Sequence, residues 1–420
     1  MTIPMRQVCG RASTRAVLDF AWQRGPIRAD DVMAGRGLTR ATSLQALDAL
    51  LTTGLVEEIE PEPAPRMGRP ARHFRFRGDA GYLVGVDAGG HRVNVAVADL
   101  TGTLLAVHET AIAGWQDPAP LDPQWRRERT LELIDDGLAA VGAGREDVAA
   151  VAVGVPAPVD AEGRSPSDEL GFWQGMNAGF QEFLEQWFPV VRVDNDASLA
   201  ALAEGRVGAA QGSTDHATLL AGWRFGTGIV VDGHLLRGRA GAVGEMGGLR
   251  HVEGVRGAEG LSQVAVTWMN DRHTPDDLPP GHPWRAFWAG GERAELLLEH
   301  ARPGDPVTGE LIDVLGDRLA RTCAVLASFF VPERIVVCGA TAHLLGPVIE
   351  RTQALLPGLL EMPSPTVLAS DLGARVVCVG ATVAAQEAAR STVLDWAVDR
   401  TEAGHPLRQN HSGPVACEGE

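Results

Sequence analysis

Lysine is absent from this chain of 420 residues, so that all 37 of its basic residues are arginine. Its five cysteines (Cys9, Cys323, Cys338, Cys378 and Cys417) are widely scattered, and none has the spacing of a metal site. No apolar run reaches the roughly 18–20 residues that a membrane span requires, and the N-terminus lacks the apolar core of a secretion signal. These absences predict free thiols, a cytoplasmic location and no membrane segment.

Charge is distributed unevenly along the chain. Residues 1–80 contain 12 arginines and 9 acidic residues, a net charge of +3, and the remaining residues contain 25 arginines and 45 acidic residues, a net charge of −20; together these give −17. We call residues 1–80 the head and the rest of the chain the body. A basic head on an acidic body indicates that a polyanion would bind the head. The length and the 45% hydrophobic fraction predict more than one domain.

The head has the pattern of three helices followed by two strands. Apolar residues recur at helical spacing in Ser13–Gln23, and a short second helix begins near Asp30. A third helix over Arg40–Thr53 carries a stripe of four leucines and ends at Gly54. The stripe consists of Leu44, Leu47, Leu50 and Leu51. Leu55–Ile59 and His73–Phe76 then alternate as paired strands do.

This order predicts a winged helix-turn-helix over residues 1–78, in which the third helix enters the major groove of DNA and the strands form the wing. Small polar and basic side chains at the start of the third helix suit base edges, and an arginine- and proline-rich wing loop suits phosphate or the minor groove. The residues predicted to contact DNA are Arg40, Thr42, Ser43 and Gln45 on the helix and Arg69 and Arg72 on the wing. The alternative is a small helical domain that binds another protein.

Three short alternating runs between Tyr82 and Val107 predict antiparallel strands joined by tight turns. The first turn contains Asp87, Gly89 and Gly90. Glycine amides can approach a bound anion or sugar closely, and the carboxylate can hold a cation or a hydroxyl. The alternative is an ordinary hairpin with an Asp-Gly turn.

The rest of the chain alternates apolar strands, glycine turns and helices in two halves, which predicts an α/β protein with a cleft between two lobes. The expected strands are Val148–Val153, Val190–Val193, Ala217–Trp223, Ile229–Val231, Arg334–Cys338 and Arg375–Cys378, with a glycine turn at Phe225–Gly228. The expected helices are Arg126–Val141, Ala197–Ala210, Glu310–Val331, Leu344–Leu356 and Gly380–Arg390.

Several segments, in this order, carry a resemblance to a known family. They are VGVDAGGHRVNVAVAD, GVPAPVD, VDNDASLAALAE, FGTGIVVDGHLLRGRAGAVGEMG, VVCGA and DLGARVVCVGATVAA. They resemble the phosphate loops, the sugar and catalytic motif and the adenosine-side segments of the ROK family (repressors, open reading frames and sugar kinases), which has the actin-like ATPase fold. A winged helix ahead of such a body is the layout of the family's transcriptional regulators, and its kinases lack it.

The resemblance implies roles for particular residues. Asn195 matches a ligand of sugar hydroxyls, Glu245 matches a further sugar contact, and Asp196 matches the catalytic base that accepts the proton of the attacking hydroxyl. The implied phosphate loops are Asp87, Gly89 and Gly90 in the first and Gly226, Thr227 and Gly228 in the second, with Gly89 and Gly90 also beside the sugar. The alternative for Asp194-Asn195-Asp196 is that it only caps the following helix.

The sequence also departs from the family's kinases. His91 stands where they usually carry Thr, and Gly248 stands where a His binds sugar and zinc. Residues 249–265 contain no cysteine, Ser262 replaces a second sugar-binding Glu, and the adenosine-side glycines are reduced to Gly339-Ala340-Thr341. A structural zinc requires about four nitrogen or sulfur ligands, so His251 alone cannot hold one, and we expect no metal and a weakened sugar site.

Together these features predict a transcriptional regulator, expected to act as a repressor, that binds double-stranded operator DNA and senses a sugar or sugar phosphate. We expect a kinase-like body over residues 79–420, with 79–195 and 380–395 in one lobe and about 196–379 in the other, and a homodimer or higher homo-oligomer. One alternative is an active sugar kinase that uses ATP and Mg²⁺, with Asp196 as its base. The other is a pseudokinase that binds neither DNA nor sugar.

Overall fold

A computed structural model describes residues 7, 9–60, 71–90, 92–111, 122–255, 257–405 and 407. Two positions singled out in the sequence, Arg69 in the wing loop and His91 in the first glycine turn, lie outside the described residues. The four described cysteines are buried free thiols. No helix in the described ranges has the length and apolar character needed to cross a membrane.

The head has the predicted order of elements. Its helices are α1 (Ala12–Trp22), α2 (Ala29–Arg36) and α3 (Arg40–Thr53), and its antiparallel strands are β1 (Val56–Ile59) and β2 (His73–Phe76). Helix α3 has the predicted bounds because Thr39 caps its start by accepting from the Thr42 amide at 3.3 Å, and Gly54, at φ +79°, ends it.

The buried face of α3 contains more than the predicted leucine stripe. Leu47 and Leu50 are buried, whereas Leu44 and Leu51 are only partly buried. The core also includes smaller side chains, among them Ser43, which is fully buried. All four leucines therefore pack on the core, Leu44 and Leu51 at its edge, while small residues such as Ser43 make the closest contacts.

The body contains two five-stranded sheets of the same topology. The first has the order β5-β4-β3-β6-β7 and the second the order β10-β9-β8-β11-β12. In each, three antiparallel strands are followed by two strands parallel to the first of them. The strands of the first sheet are β3 (Tyr82–Ala88), β4 (Arg92–Asp99), β5 (Leu104–Ala111), β6 (Val148–Val155) and β7 (Val191–Asn195). Those of the second are β8 (His216–Leu220), β9 (Gly226–Val231), β10 (His234–Leu235), β11 (Arg334–Cys338) and β12 (Thr366–Ala369).

Helices cover both sheets. They are α4 (Pro123–Ala140), α5 (Phe172–Asn177), α6 (Phe180–Leu184), α7 (Asp196–Val207), α8 (Leu261–Arg272), α9 (Ala286–Ala289), α10 (Ala294–His300), α11 (Thr308–Phe330), α12 (Gly346–Leu355) and α13 (Val376–Glu402). Helices α7 and α13 occupy equivalent places after the last strand of their sheets, and they pack against each other. The predicted two-lobed α/β architecture is thereby confirmed.

Two predicted elements are wrong. Arg375–Cys378 is not a strand: α13 begins at Val376 and is buried over much of its length, so its apolar run lacks the polar face that would have distinguished a helix from a strand. The second sheet instead ends with β12, which pairs in parallel with β11. The glycine turn at Phe225–Gly228 is also wrong, since Gly226–Gly228 begin strand β9. A Cβ at Gly228 would lie 2.2 Å from the Ala197 carbonyl oxygen, so glycine there permits α7 to pack closely.

The head shares its core with the body. One cluster of buried apolar residues includes Val17 and Leu47 of the head, Leu83 of β3 and Leu394 of α13. The Arg15 guanidinium donates to the Asp395 carboxylate at 2.8 Å and to the Ser391 carbonyl at 2.8 Å. Helix α13 therefore joins the first sheet to the head.

Candidate functional site

The residues expected around a ligand come from both sheets. Asp87 lies near the end of β3, Asn195 ends β7 and Asp196 begins α7. Gly226 begins β9 and forms a bridge to Glu245. The carboxyl ends of parallel strands line the cleft of an open α/β sheet. The fold therefore brings the predicted sugar residues to one such edge.

Asp196 is held by its own helix. Its Oδ1 accepts from the Ala197 amide at 2.7 Å and from the Asn195 side-chain amide at 3.2 Å. Burial raises the pKa of Asp196 to about 7, and the nearby charge of Glu245 acts in the same direction. Part of the side chain still reaches solvent. Such a carboxyl group exchanges protons near neutral pH, as a general base for a hydroxyl does.

Asn195 is the N-cap of α7. Its Oδ1 accepts from the Ser198 amide at 3.0 Å, and its Nδ2 donates to the Ala157 carbonyl at 3.2 Å. The capping interpretation is confirmed for this residue. Its role as a sugar ligand remains a prediction, because its amide already has partners within the protein.

Asp194, the first residue of the same motif, is committed to an ion-pair network. Its carboxylate lies 3.3 Å from the Arg192 guanidinium and 2.8 Å from that of Arg237. Asp194 thus anchors the segment after β10 to the first sheet and is not available to a ligand.

Asp87 faces the same edge from the first turn. Burial raises the pKa of Asp87 to about 8, and the charge of Asp196 adds to the shift. The Asn94 side-chain amide opposes it by donating to Asp87 at 3.3 Å. Gly89 is confined in this turn, since a Cβ there would lie 3.0 Å from the Arg92 carbonyl oxygen. Two carboxyl groups that disfavour each other's ionisation therefore meet at the cleft.

Arg126 is a site residue that the sequence did not reveal. It is buried on α4, where its Nη2 donates to the Ala88 carbonyl at 2.6 Å and its Nη1 to the Gly89 carbonyl at 3.2 Å. Burial lowers the pKa of Arg126 to about 10, and the charge of Asp87 opposes this shift. The guanidinium fixes the first turn and supplies a positive charge beside Asp87. An arginine on the inward face of a predicted helix was the available signal.

The residues of the second predicted phosphate loop, Gly226–Gly228, are tightly packed by neighbouring segments in this structure. Gly226 lies against α7, with a Cβ position 3.9 Å from the Asp196 Oδ1. The Thr227 hydroxyl is buried and has no hydrogen-bond partner among the described residues. Gly244, at φ +93°, packs so tightly that a Cβ would lie 1.8 Å from the Thr227 carbonyl oxygen. The role of Gly226, Thr227 and Gly228 as a phosphate loop stays a prediction, and it would depend on backbone amides because the Thr227 side chain is buried.

Glu245 stands on the second-lobe side of the cleft. Partial desolvation by the surrounding protein raises the pKa of Glu245, and Arg224 opposes the shift. Solvent nevertheless reaches the side chain. Its position next to Gly226 places it where a ligand between the lobes could accept or donate a hydrogen bond.

On the adenosine side, Gly339 has φ +116° and Thr341 is buried. The Thr341 hydroxyl lies 3.4 Å from the hydroxyl of Ser262. Ser262 therefore contacts the adenosine-side turn. His251 is exposed at the end of a short 3-10 segment, and no group of three His, Cys, Asp or Glu suited to a metal occurs in the described part of the chain.

On the head, four predicted DNA contacts, namely Arg40, Thr42, Gln45 and Arg72, are exposed or partly exposed. The Arg40 guanidinium is exposed and pairs with Asp30 at 2.6 Å, and Thr42 is partly exposed. Gln45 is exposed and accepts from the Arg11 guanidinium at 2.8 Å. Arg72 bridges Asp48 and Glu58, each at 2.8 Å.

Ser43 does not face outward, so the prediction that it reads bases is wrong. It is fully buried, and its hydroxyl donates to the Thr39 carbonyl at 3.0 Å. Its role is to pack α3 against the rest of the head.

The fold and the site define a two-lobed α/β body of the sugar-kinase type, behind a winged helix-turn-helix. Residues 83–260 match the model of the ROK family, so that the chain contains a ROK family domain. It is 24% identical over 362 residues to the DNA-binding transcriptional repressor Mlc of Escherichia coli (strain K12), with 81% of this chain and 85% of Mlc covered. It is 27% identical over 380 residues to the DNA-binding transcriptional dual regulator NagC of the same strain, with 86% and 89% covered. The chain is thus homologous to ROK transcriptional repressors.

Solved structures show the same fold. A ROK family transcriptional regulator, described as a homologue of E. coli Mlc, superposes with a TM-score of 0.69 at 21% identity, covering 94% of this chain and all of that one. A ROK family glucokinase from Streptomyces griseus, in complex with glucose and AMPPNP, superposes with a TM-score of 0.56 at 27% identity, covering 73% of this chain and all of the kinase. The actin-like fold is therefore shared with regulators and kinases alike.

Proposed function

We propose that this protein is a DNA-binding transcriptional regulator, acting as a repressor, whose kinase-like body senses a small molecule. The observation that carries the proposal is the winged helix-turn-helix joined through a common core to a ROK family domain. Relatives named as a transcriptional repressor and as a transcriptional dual regulator, each similar over more than four fifths of the chain, support it. Operator DNA is the proposed partner, which fits a cytoplasmic location.

The proposed DNA surface consists of the exposed part of α3 and the wing. Arg40, Thr42 and Gln45 would meet base edges, and Arg69 and Arg72 would meet phosphate or the minor groove. Arg40 and Arg72 now pair with carboxylates at the surface. Exposed ion pairs are worth only about 0–1 kcal/mol, so exchanging them for phosphate contacts costs little. Half-site recognition by a winged helix further supports a homodimer or higher homo-oligomer.

The proposed sensor site lies between the lobes. Asp87, Asp196 and Glu245 offer acceptors to the hydroxyls of a sugar, and a carboxyl group that holds its proton can also donate. The Gly89-Gly90 turn would lie beside the ligand, while Asn195 positions Asp196. The proposed division is a head over residues 1–78 and a body over 79–420. Within the body, residues 79–195 with 380–395 form one lobe and about 196–379 the other.

Two measurements test this function. The full-length protein should shift DNA taken from upstream of its own gene at physiological salt, and an unrelated fragment of equal length should compete poorly. A panel of sugars and sugar phosphates should contain a compound that raises the melting temperature and releases the DNA. Failure to bind any promoter-proximal DNA would overturn the proposal.

A sugar kinase is the second candidate, because Asp196 has a pKa near 7 at the place of the catalytic base. A glucokinase of Streptomyces coelicolor is also 27% identical over 331 residues. We favour the regulator, since His91, Gly248 and Ser262 replace residues of the family's kinases. Incubation of the protein with ATP, Mg²⁺ and a panel of hexoses distinguishes the two functions. Phosphorylation of a hexose that depends on ATP and is lost in Asp196→Asn would establish the kinase.

Zinc is not part of the proposed function. His251 is exposed and has no cysteine near it in sequence, and a structural zinc requires about four ligands. Elemental analysis of the purified protein should therefore find far less than one zinc per chain. Stoichiometric zinc that survives dialysis against a chelator would contradict this.

A further inference from the structure

A second cavity lies apart from the candidate site, where α7, the β8–β10 edge of the second sheet and α13 meet. Its volume is about 230 Å³, enough for a small metabolite. Ala201, Leu202, Val230, Leu235 and Val383 supply its apolar wall. Its polar wall consists of Arg206, Ser213, His216, Gln386, Glu387 and Arg390.

The charge at this cavity is opposite to that of the surrounding body. Arg206 and Arg390 are exposed at its rim, and neither forms an ion pair with a described residue. Glu387 is the one acidic residue of the lining. The cavity thus carries two positive charges and one negative charge, in a body whose sequence has a net charge of −20. Two uncompensated guanidinium groups are the arrangement that binds carboxylate or phosphate.

A buried polar atom at the cavity also lacks a partner. His216 is 3% exposed, and its Nε2 lies 3.2 Å from the Ala201 carbonyl oxygen. Its Nδ1 is buried and has no hydrogen-bond partner among the described residues. Buried polar groups in native proteins nearly always have partners, so this histidine marks a place where a bound molecule or water completes the structure.

We propose that this cavity is a second ligand site, which binds a small organic anion. The carboxylate or phosphate of the ligand lies between Arg206 and Arg390, and its apolar part lies against Leu202, Leu235 and Val383. This proposal rests on the composition of the two walls. An apolar wall facing a few convergent polar groups is the usual composition of a small-molecule site.

The cavity lies next to helices that lead to the cleft between the lobes and to the head. Asp196 and Arg206 are ten residues apart on α7, which is about 15 Å along a helix. Arg390 lies on α13 with its guanidinium carbon 5.8 Å from the ring centre of Trp22 in α1. An occupant would therefore contact a helix that begins at the cleft and a residue that touches the head.

The test uses three named probes on the full-length protein: acetate, benzoate and inorganic phosphate, titrated by isothermal calorimetry. Benzamide, which has the shape of benzoate without its charge, is the neutral control. We expect saturable binding of benzoate and none of benzamide. Arg206→Gln and Arg390→Gln should each weaken benzoate binding about tenfold or more, since a charge-assisted hydrogen bond is lost. Arg206→Lys should retain part of the affinity.

Two further variants separate a built site from general surface charge. Glu387→Gln removes the repulsive carboxylate and should strengthen benzoate binding about threefold, a gain that damage to the fold would not produce. Arg272→Gln removes an exposed arginine on α8, away from the cavity, and should change nothing. Binding of none of the three anions, equal binding of benzamide, or equal losses in Arg206→Gln and Arg272→Gln would overturn the proposal.

Discussion

Asp87 and Asp196 hold their protons to an unusually high pH because the protein desolvates them side by side. The pKa is about 8 for Asp87 and about 7 for Asp196, with burial as the first cause in each case. In the unfolded chain both have a pKa near 4. Between about pH 4 and these values the folded state binds more protons than the unfolded state, so the free energy of unfolding falls as pH rises. A ligand whose hydroxyls donate to the ionised forms would offset this cost.

The variant Asp196→Asn tests whether the free energy of unfolding falls as pH rises. The change removes one ionisation and relieves Asp87 of a nearby negative charge, while its amide oxygen can still accept from the Ala197 amide. We expect the melting temperature to rise relative to the parent by roughly 2–4 °C at pH 8, and to rise by less at pH 5. Asp276→Asn, at a side chain that is 98% exposed, is the control. An equal change at both pH values would show that the carboxyl group is not desolvated.

We expect the main role of Asn195 to be the stabilisation of the fold, with ligand binding secondary. Asn195→Ala removes the acceptor for the Ser198 amide and the donor to the Ala157 carbonyl, so it should lower the free energy of unfolding by about 1–2 kcal/mol. Asn195→Asp keeps the cap and should restore most of that loss in denaturant titrations. If Asn195→Ala abolished ligand binding with no loss of stability, the capping role would be secondary.

At the scale of the element, α3 shows how one helix divides its residues between packing and recognition. Arg40 projects from its first turn, whereas Ser43, three residues later, lies in the core. The amphipathic pattern predicted the helix, its ends and the leucines that pack on the core, but it did not predict the burial of Ser43. Small residues at the closest helix contacts carry no hydrophobic signal.

This division predicts opposite outcomes for two variants of α3. Arg40→Ala should weaken operator binding about tenfold and reduce the preference for operator over unrelated DNA, because a contact to a base edge is lost. Ser43→Ala should leave DNA affinity within about twofold, because its side chain does not reach the surface. Arg272→Ala in the body serves as the arginine control in the same gel-shift titration. Equal affinity of the Arg40→Ala variant and the parent would remove this helix from the DNA surface.

Helix α13 is the element that the sequence described least well. Its N-terminal half packs on β3, β6 and α7, so the Val376–Val379 run faces protein on all sides. A helix that is apolar all round has no period in its sequence, and its start was therefore taken for a buried strand. Gly380 marks the closest contact, since a Cβ there would lie 1.8 Å from the Leu199 carbonyl oxygen.

At the scale of the whole molecule, two sheets of equal topology are joined through α7 and α13, and the head is attached to the second of these helices. The cleft, the anion cavity and the head thus lie along one pair of helices.

Leu394→Ala tests the common core of head and body. Leu394 is 2% exposed on α13, in the cluster that contains Val17 and Leu47 of the head. Its truncation should lower the free energy of unfolding by about 2–5 kcal/mol, expose the head to limited proteolysis and weaken operator binding. Leu298→Ala, a buried leucine of the separate cluster in the second lobe, should destabilise similarly while leaving the head protected. Equal proteolysis of the head in both variants would show that head and body are independent.

Sequence patterns alone predicted the order of the elements in the head, the ends of α3, the strands around the first glycine turn and Asp87 within that turn. These depend on local physics: the period of apolar residues, the conformational freedom of Gly54 and the capping chemistry of Thr39 and Asn195. Family resemblance added the cleft, since its motifs keep their order along the chain.

The burial of individual side chains, and the groups that surround them, became known from the three-dimensional structure. Arg126 reaches the first turn from a helix that begins more than thirty residues later. Burial raises the pKa of both Asp87 and Asp196; the charge of Asp196 adds to the shift of Asp87, and the charge of Glu245 adds to that of Asp196. Ser43 is buried and does not lie on the predicted DNA surface, because neighbouring elements cover it. Burial and charge coupling depend on contacts between distant segments, and spacing along the chain does not encode them.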